Sequence, residues 1–266
     1  MNVQAREKFK NALNYGLYYG YGEVDSLCRF DVAILEPGGQ TESDLMVMQA
    51  ANNVILAYLS MMEIADYDPD YRYLSEDDFL KNENGIKIKN EAFGTYLLDL
   101  SSRRWQGLLF HRIGRLLKIS NYQGLFLDTI GNVEMSEIPH FQRGKQLEEA
   151  VELVKAIRSI HPNSVIVQNN GLNQLCMRTA EWIDGICWEN PRFNDSEAKE
   201  WTYLTVSRLV QIANERSIKI LLLLEKESSQ DGVNRDLARQ EAKKNGFLIY
   251  EAPSQYVSGV NEPIFL

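Results

Sequence analysis

Asp128 ends the apolar run GLFLDT (124–129) and Glu189 ends GICWEN (185–190), so two carboxylates follow residues that a strand would bury. Burying a polar group without a partner costs roughly 2–7 kcal/mol, and a charge costs more, so such positions need a reason. The pattern recurs along the chain: Glu36 follows VAIL, Ser60 closes VILAYLS with Glu63 just beyond, and Asp99 lies in YLLDL. Asn169 and Asn170 follow VIVQ, Glu225 follows ILLLL, and Glu251 follows FLIY. Two acids flanking a glycosidic bond are what glycoside hydrolysis uses, one protonating the leaving oxygen and the other acting as nucleophile or as base for water. Asp128 and Glu189 form the best-placed pair, because one candidate strand separates theirs. Each acid also has a plainer reading, as a helix N-cap or a buried ion-pair partner. That reading weakens as strand ends of the same kind accumulate.

Other chemistries lack their residues. The three histidines (His111, His140, His161) show no metal-binding spacing, and His111 in LLFHRIGRLL reads as a packed or surface residue of a helix. There is no G-x-S-x-G elbow, and EPGGQ (36–40) is neither a dinucleotide fingerprint nor a phosphate loop. No cofactor and no metal is expected. Cys28, Cys176 and Cys187 are odd in number and widely spaced, which suggests free thiols.

Sugar sites also use flat apolar surfaces with polar groups around them. Tyr18, Tyr19 and Tyr21 cluster at the end of the first strand candidate, while Tyr58, Trp188 and Phe193 lie near other strand ends. Aromatic residues there often only cover the core. Trp188 is the immediate neighbour of Glu189, so strand alternation turns it to the opposite face unless the strand has already ended there. An apolar neighbour raises a carboxyl pKa, which favours Glu189 as proton donor and Asp128 as nucleophile or stabilising base, while the sequence leaves open both the reverse assignment and whether the anomer is retained or inverted.

Nine short apolar runs could position these groups: 15–20, 32–37, 54–60, 96–100, 124–129, 165–170, 185–190, 219–226 and 247–252. Most read as strands buried on both faces, with helical spacing in the connectors 142–160, 195–216 and 231–245. Repeated β-then-α order gives either an open doubly wound sheet or a closed (β/α)8 TIM-type barrel. A barrel needs eight strands, so one of the nine is peripheral, with 96–100 and the last as the candidates. So many polar strand ends favour the barrel, where they all converge on one mouth; in an open sheet only those near the switch point meet.

The 266 residues contain no linker-like tract, so a single domain spanning 1–266 is expected. A net charge of −9 without a basic stripe argues against a nucleic-acid partner and favours cationic ones. No run approaches the ~20 apolar residues of a membrane span, and the first residues lack a signal-peptide core. The chain as given is therefore expected to be cytoplasmic or an excised extracellular domain. Oligomeric state leaves no trace in the sequence.

Taken together, LYYG (17–20), FDVAILEP (30–37), VILAYLSMMEI (54–64), LDLSSRRWQGLLFHRI (98–113), YQGLFLDTIGN (122–132), VIVQNNG (165–171), IDGICWEN (183–190) and GFLIYEA (246–252) resemble the endo-α-1,4-polygalactosaminidase group of glycoside hydrolases, which includes the hydrolase domains that process Pel exopolysaccharide. A related barrel family once carried a cysteinyl-tRNA-synthetase-like label, but the synthetase signatures are missing here. The resemblance covers nearly the whole chain in order, GLFLDT being its most specific piece. It implies a (β/α)8-type barrel and an enzyme that cuts α-1,4-linked galactosamine or N-acetylgalactosamine polymers, exopolysaccharides of biofilms among them. It also implies that Asp128 and Glu189 are the catalytic acids and that Glu36, Glu63 and Asn169 are further mouth positions. Tyr18, Tyr19, Tyr58, Trp188, Phe193 and Glu225 complete the candidate substrate-binding set. A partly deacetylated substrate of that kind is cationic, and a −9 protein attracts it within a Debye length of about 8 Å.

The sequence departs from the family pattern twice. SMME stands where a small-Gly-Glu sequence is common, leaving Glu63 without a neighbouring glycine. Gly131 stands where a second acid often follows the FLD motif by three residues. A carbohydrate-binding barrel without catalysis, serving polymer synthesis or export, is the alternative function; it would keep the aromatics and tolerate loss of either acid.

Overall fold

A computed structural model describes residues 3–225 and 232–266. Eight strands pair in parallel in the order β1 (Tyr15–Tyr18), β2 (Val32–Leu35), β3 (Val54–Ser60), β7 (Gly124–Asp128), β8 (Val165–Asn169), β9 (Gly185–Glu189), β10 (Lys219–Glu225) and β11 (Leu248–Ala252). Because β1 and β11 lie side by side, this sheet forms a nearly closed barrel. The helices α1 (Val3–Asn11), α2 (Val24–Leu27), α3 (Glu42–Ala50), α4 (Arg103–Gly114), α5 (His140–Ile160), α6 (Leu175–Thr179), α7 (Lys199–Arg216) and α8 (Gly232–Asn245) complete the (β/α)8 architecture.

Strand alternation sorts the apolar residues into two cores. Tyr15, Leu17, Val32, Ile34, Val54, Leu56, Phe126, Val165, Val167, Cys187, Leu221, Leu223, Leu248 and Tyr250 fill the barrel, with Ala5, Phe9 and Ala12 packed on them. The alternate residues, such as Leu35, Ile55, Leu127, Ile166, Ile186, Leu222 and Ile249, face the helices. Both strand faces are thus apolar, which is why the runs read as continuous rather than alternating.

Of the nine strand candidates, the peripheral one is 96–100. Its residues contribute β6 (Thr95–Leu97), which pairs antiparallel with β4 (Glu63–Ala65) and β5 (Lys89–Asn90) in a separate three-stranded sheet. The last candidate is the barrel strand β11. The helices at 142–160, 195–216 and 231–245 begin at His140, Lys199 and Gly232; position 231, and Lys226 at the end of the eighth strand candidate, lie outside the described residues. All three cysteines are free. No described helix is long and apolar enough to cross a membrane.

Candidate active site

The parity that fills the barrel also selects what reaches its mouth. Continuing each interior series by two residues gives Tyr19, Glu36, Tyr58, Asp128, Asn169, Glu189 and Glu225. At the centre, the Asn169 amide nitrogen donates to Asp128 Oδ1 at 2.7 Å and to Glu189 Oε2 at 2.9 Å. Sharing one nitrogen keeps these two carboxylate oxygens no more than about 5.6 Å apart, which brings both acids within reach of one glycosidic bond. The Asn169 side-chain oxygen, Oδ1, is buried and has no hydrogen-bond partner among the described residues.

The two acids differ in their surroundings. Burial raises the pKa of Asp128, opposed by hydrogen bonds from Asn169, the Thr129 N–H and the Tyr58 hydroxyl, while the charge of Glu63 adds to the rise. Burial also raises Glu189, and the charges of Asp128 and Glu225 raise it further, against hydrogen bonds from Tyr256 and Asn169. Both carboxyls are thus raised chiefly by burial, with three hydrogen-bond donors opposing the rise at Asp128 and two at Glu189. The Trp188 ring does not lie against Glu189; it points outward, 3% exposed, and packs on Phe193 at 5.4 Å and Trp201 at 5.8 Å.

Tyr19 packs edge-on against Tyr58 and Tyr256, at 4.9 and 5.5 Å, forming an aromatic wall beside the acids. Burial drives the Tyr19 hydroxyl pKa well up, as do the charges of Asp128 and Glu189. Tyr18 has the opposite parity. It lies in the outer core, and its hydroxyl donates to the Tyr21 carbonyl, so the structure does not bring it to the acids. Phe193 likewise packs on the outer core beside Trp188. Glu36 caps the turn Pro37–Gly39, and burial raises its pKa. Glu225 Oε1 accepts from the Gln255 N–H at 2.6 Å. Glu251 turns outward to pair with Arg239 of α8, as its parity requires.

Glu63 is buried at the junction between barrel and small sheet. Its carboxylate accepts from Asn90 at 3.1 Å, from Asn132 at 2.5 Å and from the Thr95 hydroxyl. It therefore ties the small sheet to the turn after β7. Gly131 in that turn has no room for a side chain: a Cβ there would meet the Gly171 nitrogen at 2.5 Å and the Asn169 carbonyl at 3.0 Å. The β7 and β8 loops thus approach each other closely at the position where the sequence lacks the expected second acid.

Three residues that follow the central strands stitch this rim together. Thr129, Asn170 and Asn190, each directly after a polar strand end, have φ of 58°, 55° and 50°. Thr129 Oγ1 accepts from Met61 N at 3.0 Å and Met62 N at 2.8 Å. Asn170 Oδ1 accepts from Glu189 N at 3.1 Å, and Asn190 Oδ1 from Glu225 N at 2.8 Å. Positive φ at threonine is strained, and the strained turn lets one strand end hold the next. Sequence reasoning also missed Tyr256, whose hydroxyl donates to Glu189 Oε1 at 2.6 Å. A cavity of about 330 Å³ opens on the other side of Glu189, lined by Asn173, Trp188, Arg192, Asp195 and Trp201 among others. Among the described residues no cluster of three or more potential metal ligands occurs.

The fold matches solved glycosidase structures at low identity. The glycoside hydrolase domain of PelA from Pseudomonas aeruginosa superposes with a TM-score of 0.74 at 16% identity, covering 92% of this chain and 96% of that one. Ega3 from Aspergillus fumigatus, solved in complex with galactosamine, gives 0.69 at 11% identity over 94% and 93%. The α-galactosidase TtGalA from Thermus thermophilus gives 0.63 at 12% identity, covering 92% of this chain and 58% of its own. No curated protein matches the sequence. The sequence profile of glycoside-hydrolase family GH114 matches residues 2–211, well over half of the chain, and the protein belongs to that glycoside hydrolase family.

Proposed function

We propose that this glycoside hydrolase cuts α-1,4-linked galactosamine or N-acetylgalactosamine polysaccharide internally, by double displacement with Asp128 as nucleophile and Glu189 as acid and base. The observation that carries the mechanism is the Asn169 amide shared between the two acids, since it gathers both at one point of the barrel mouth, where they can act on the same glycosidic bond. In the first step an Asp128 oxygen attacks the anomeric carbon while Glu189 gives its proton to the leaving oxygen. Water then displaces Asp128, and its proton returns to Glu189.

The substrate class is supported by the fold shared with Ega3, which was solved with galactosamine, and with the PelA domain. The net charge of −9 suits an amino-sugar polymer. Tyr19 and Tyr58 offer ring surface beside the acids, and a sugar N–H or O–H would satisfy the unpaired Asn169 Oδ1. The cavity bounded by Glu189 and Trp201 suits the residue on the leaving-group side.

Digestion of a galactosamine-rich α-1,4 polymer, with products separated by mass, tests the reading. The wild-type chain is expected to release oligosaccharides of several lengths, while Asp128→Asn and Glu189→Gln each lose at least about a hundredfold in rate with the fold intact. Wild-type rates in either variant would remove that residue from the mechanism. Polymer bound but uncut by the wild type would point instead to a carbohydrate-binding barrel.

A further inference from the structure

We propose that Tyr256 is the positioning residue that carries Glu189 through its alternation between proton donor and proton acceptor. The proposal rests on the two-acid reading above and gives it a partner beyond residues 2–211, the stretch matched by the family profile.

The two oxygens of Glu189 face different kinds of partner. Oε2 accepts from the Asn169 amide, which on that side can only donate. Oε1 accepts from the Tyr256 hydroxyl at 2.6 Å, and a hydroxyl can donate or accept. A proton on Glu189 is therefore accommodated at Oε1, where Tyr256 turns its own hydrogen aside and leaves the carboxyl proton directed at the glycosidic oxygen. When the glycosidic C–O bond breaks, its electron pair goes to the leaving oxygen and the Oε1 proton follows. Tyr256 then turns back and donates to the new carboxylate. In the second step the attacking water gives its proton to Glu189 as the electron pair of the sugar–Asp128 bond returns to Asp128, and the hydroxyl reverses again. Tyr256 itself neither gains nor loses a proton.

The chain holds this tyrosine in a conformation that side-chain-bearing residues rarely adopt. Gln255 and Tyr256 are consecutive non-glycine residues with φ of 54° and 58°. Partners on two strands fix them there: the Gln255 N–H donates to Glu225 Oε1, and the Tyr256 carbonyl accepts from the Tyr19 N–H at 2.8 Å. The ring is braced edge-on by Tyr19, and the Asn190 amide approaches the hydroxyl oxygen at 3.4 Å. The titratable groups around Glu189 are Asp128 on β7, Glu225 on β10, Tyr15 and Tyr19 from β1 and its end, and Cys187 on its own strand. Arg192 and Asp195 line the cavity beside Glu189, and among the described residues the hydrogen bonds to its two oxygens come from the neutral Asn169 amide and Tyr256 hydroxyl. Tyr256 therefore supplies a favourable partner at Oε1 each time the carboxylate forms.

Tyr256→Phe keeps the ring packing and removes only the hydroxyl. On the polymer, kcat is expected to fall about tenfold or more with KM near wild type, the usual scale for a hydrogen bond to a charged group. The alkaline limb of the rate profile, set by protonated Glu189, is expected to move to higher pH, because the carboxylate has lost a donor. An α-galactosaminyl fluoride, whose leaving group needs little protonation, should show a smaller loss than the polymer. Wild-type kcat with an unmoved alkaline limb would overturn the proposal, and so would equal losses on both substrates. Glu189→Gln run alongside separates the two levels: wild-type turnover in that variant would remove the two-acid reading itself.

Discussion

Asp128 and Glu189 share a single side-chain partner, the Asn169 amide, whose nitrogen lies 2.7 Å from one carboxylate and 2.9 Å from the other. One neutral group therefore ties the two acids together and opposes the rise in pKa that burial imposes on both. A cation could pin two acids more tightly, but it would also hold both as anions. A neutral amide leaves one of them free to keep a proton.

Asn169→Ala should shift the whole pH profile. The Asn169 hydrogen bond lowers the pKa of both acids, so its loss raises both. With the roles proposed above, the acid limb of kcat/KM would follow ionised Asp128 and the alkaline limb protonated Glu189, and both are expected to move to higher pH, with the maximum reduced roughly tenfold or more. A profile with unmoved limbs would show that the amide does not tune the pair.

The site should cost stability at neutral pH. The folded-state pKa of Asp128 is raised, chiefly by burial, so its contribution to stability is present at low pH and is lost as pH rises through that folded value. Asp128→Asn is therefore expected to raise Tm at pH 7, with the gain shrinking toward zero below about pH 4, where the unfolded carboxylate is protonated too. Thermal melts across that range check the sign; a Tm lowered at pH 7 would contradict it.

Glu63 should behave as a structural clamp. Glu63→Ala leaves the donors of Asn90, Thr95 and Asn132 without their common acceptor, at about 1 kcal/mol or more each. The expected outcome is a loss of roughly 3 kcal/mol and faster proteolysis within residues 66–94. Unchanged stability and protease resistance would show that the small sheet is held by other contacts.

Much of this arrangement is legible in the sequence, because parallel strands buried on both faces read as apolar runs and a polar residue closing such a run needs a reason. Asp128, Asn169 and Glu189 emerge that way. Tyr18 and Trp188 do not reach the acids because the period of two puts them on the helix side; counting parity back from the interior residues separates them from Tyr19 and Tyr58. Trp188 could be assigned to that side from its adjacency to Glu189 alone. Tyr256 carries no comparable signal, since its place depends on two left-handed residues after the last strand, neither of them glycine. The clamp on Glu63 draws Asn90 and Thr95 from a small antiparallel sheet whose pairing no local pattern announces. Gly131 reads as a missing acid in the sequence and as a close contact between two loops in the structure.

Direct attack of Asp128 on the sugar, as proposed above, fixes the anomer of the first product. Proton NMR of the first products released from an α-linked galactosamine oligomer, recorded before mutarotation, reads that anomer. The α-anomer, retained through two displacements, is the expected result. A β-anomer as first product would mean that water attacks directly, and would remove Asp128 as nucleophile.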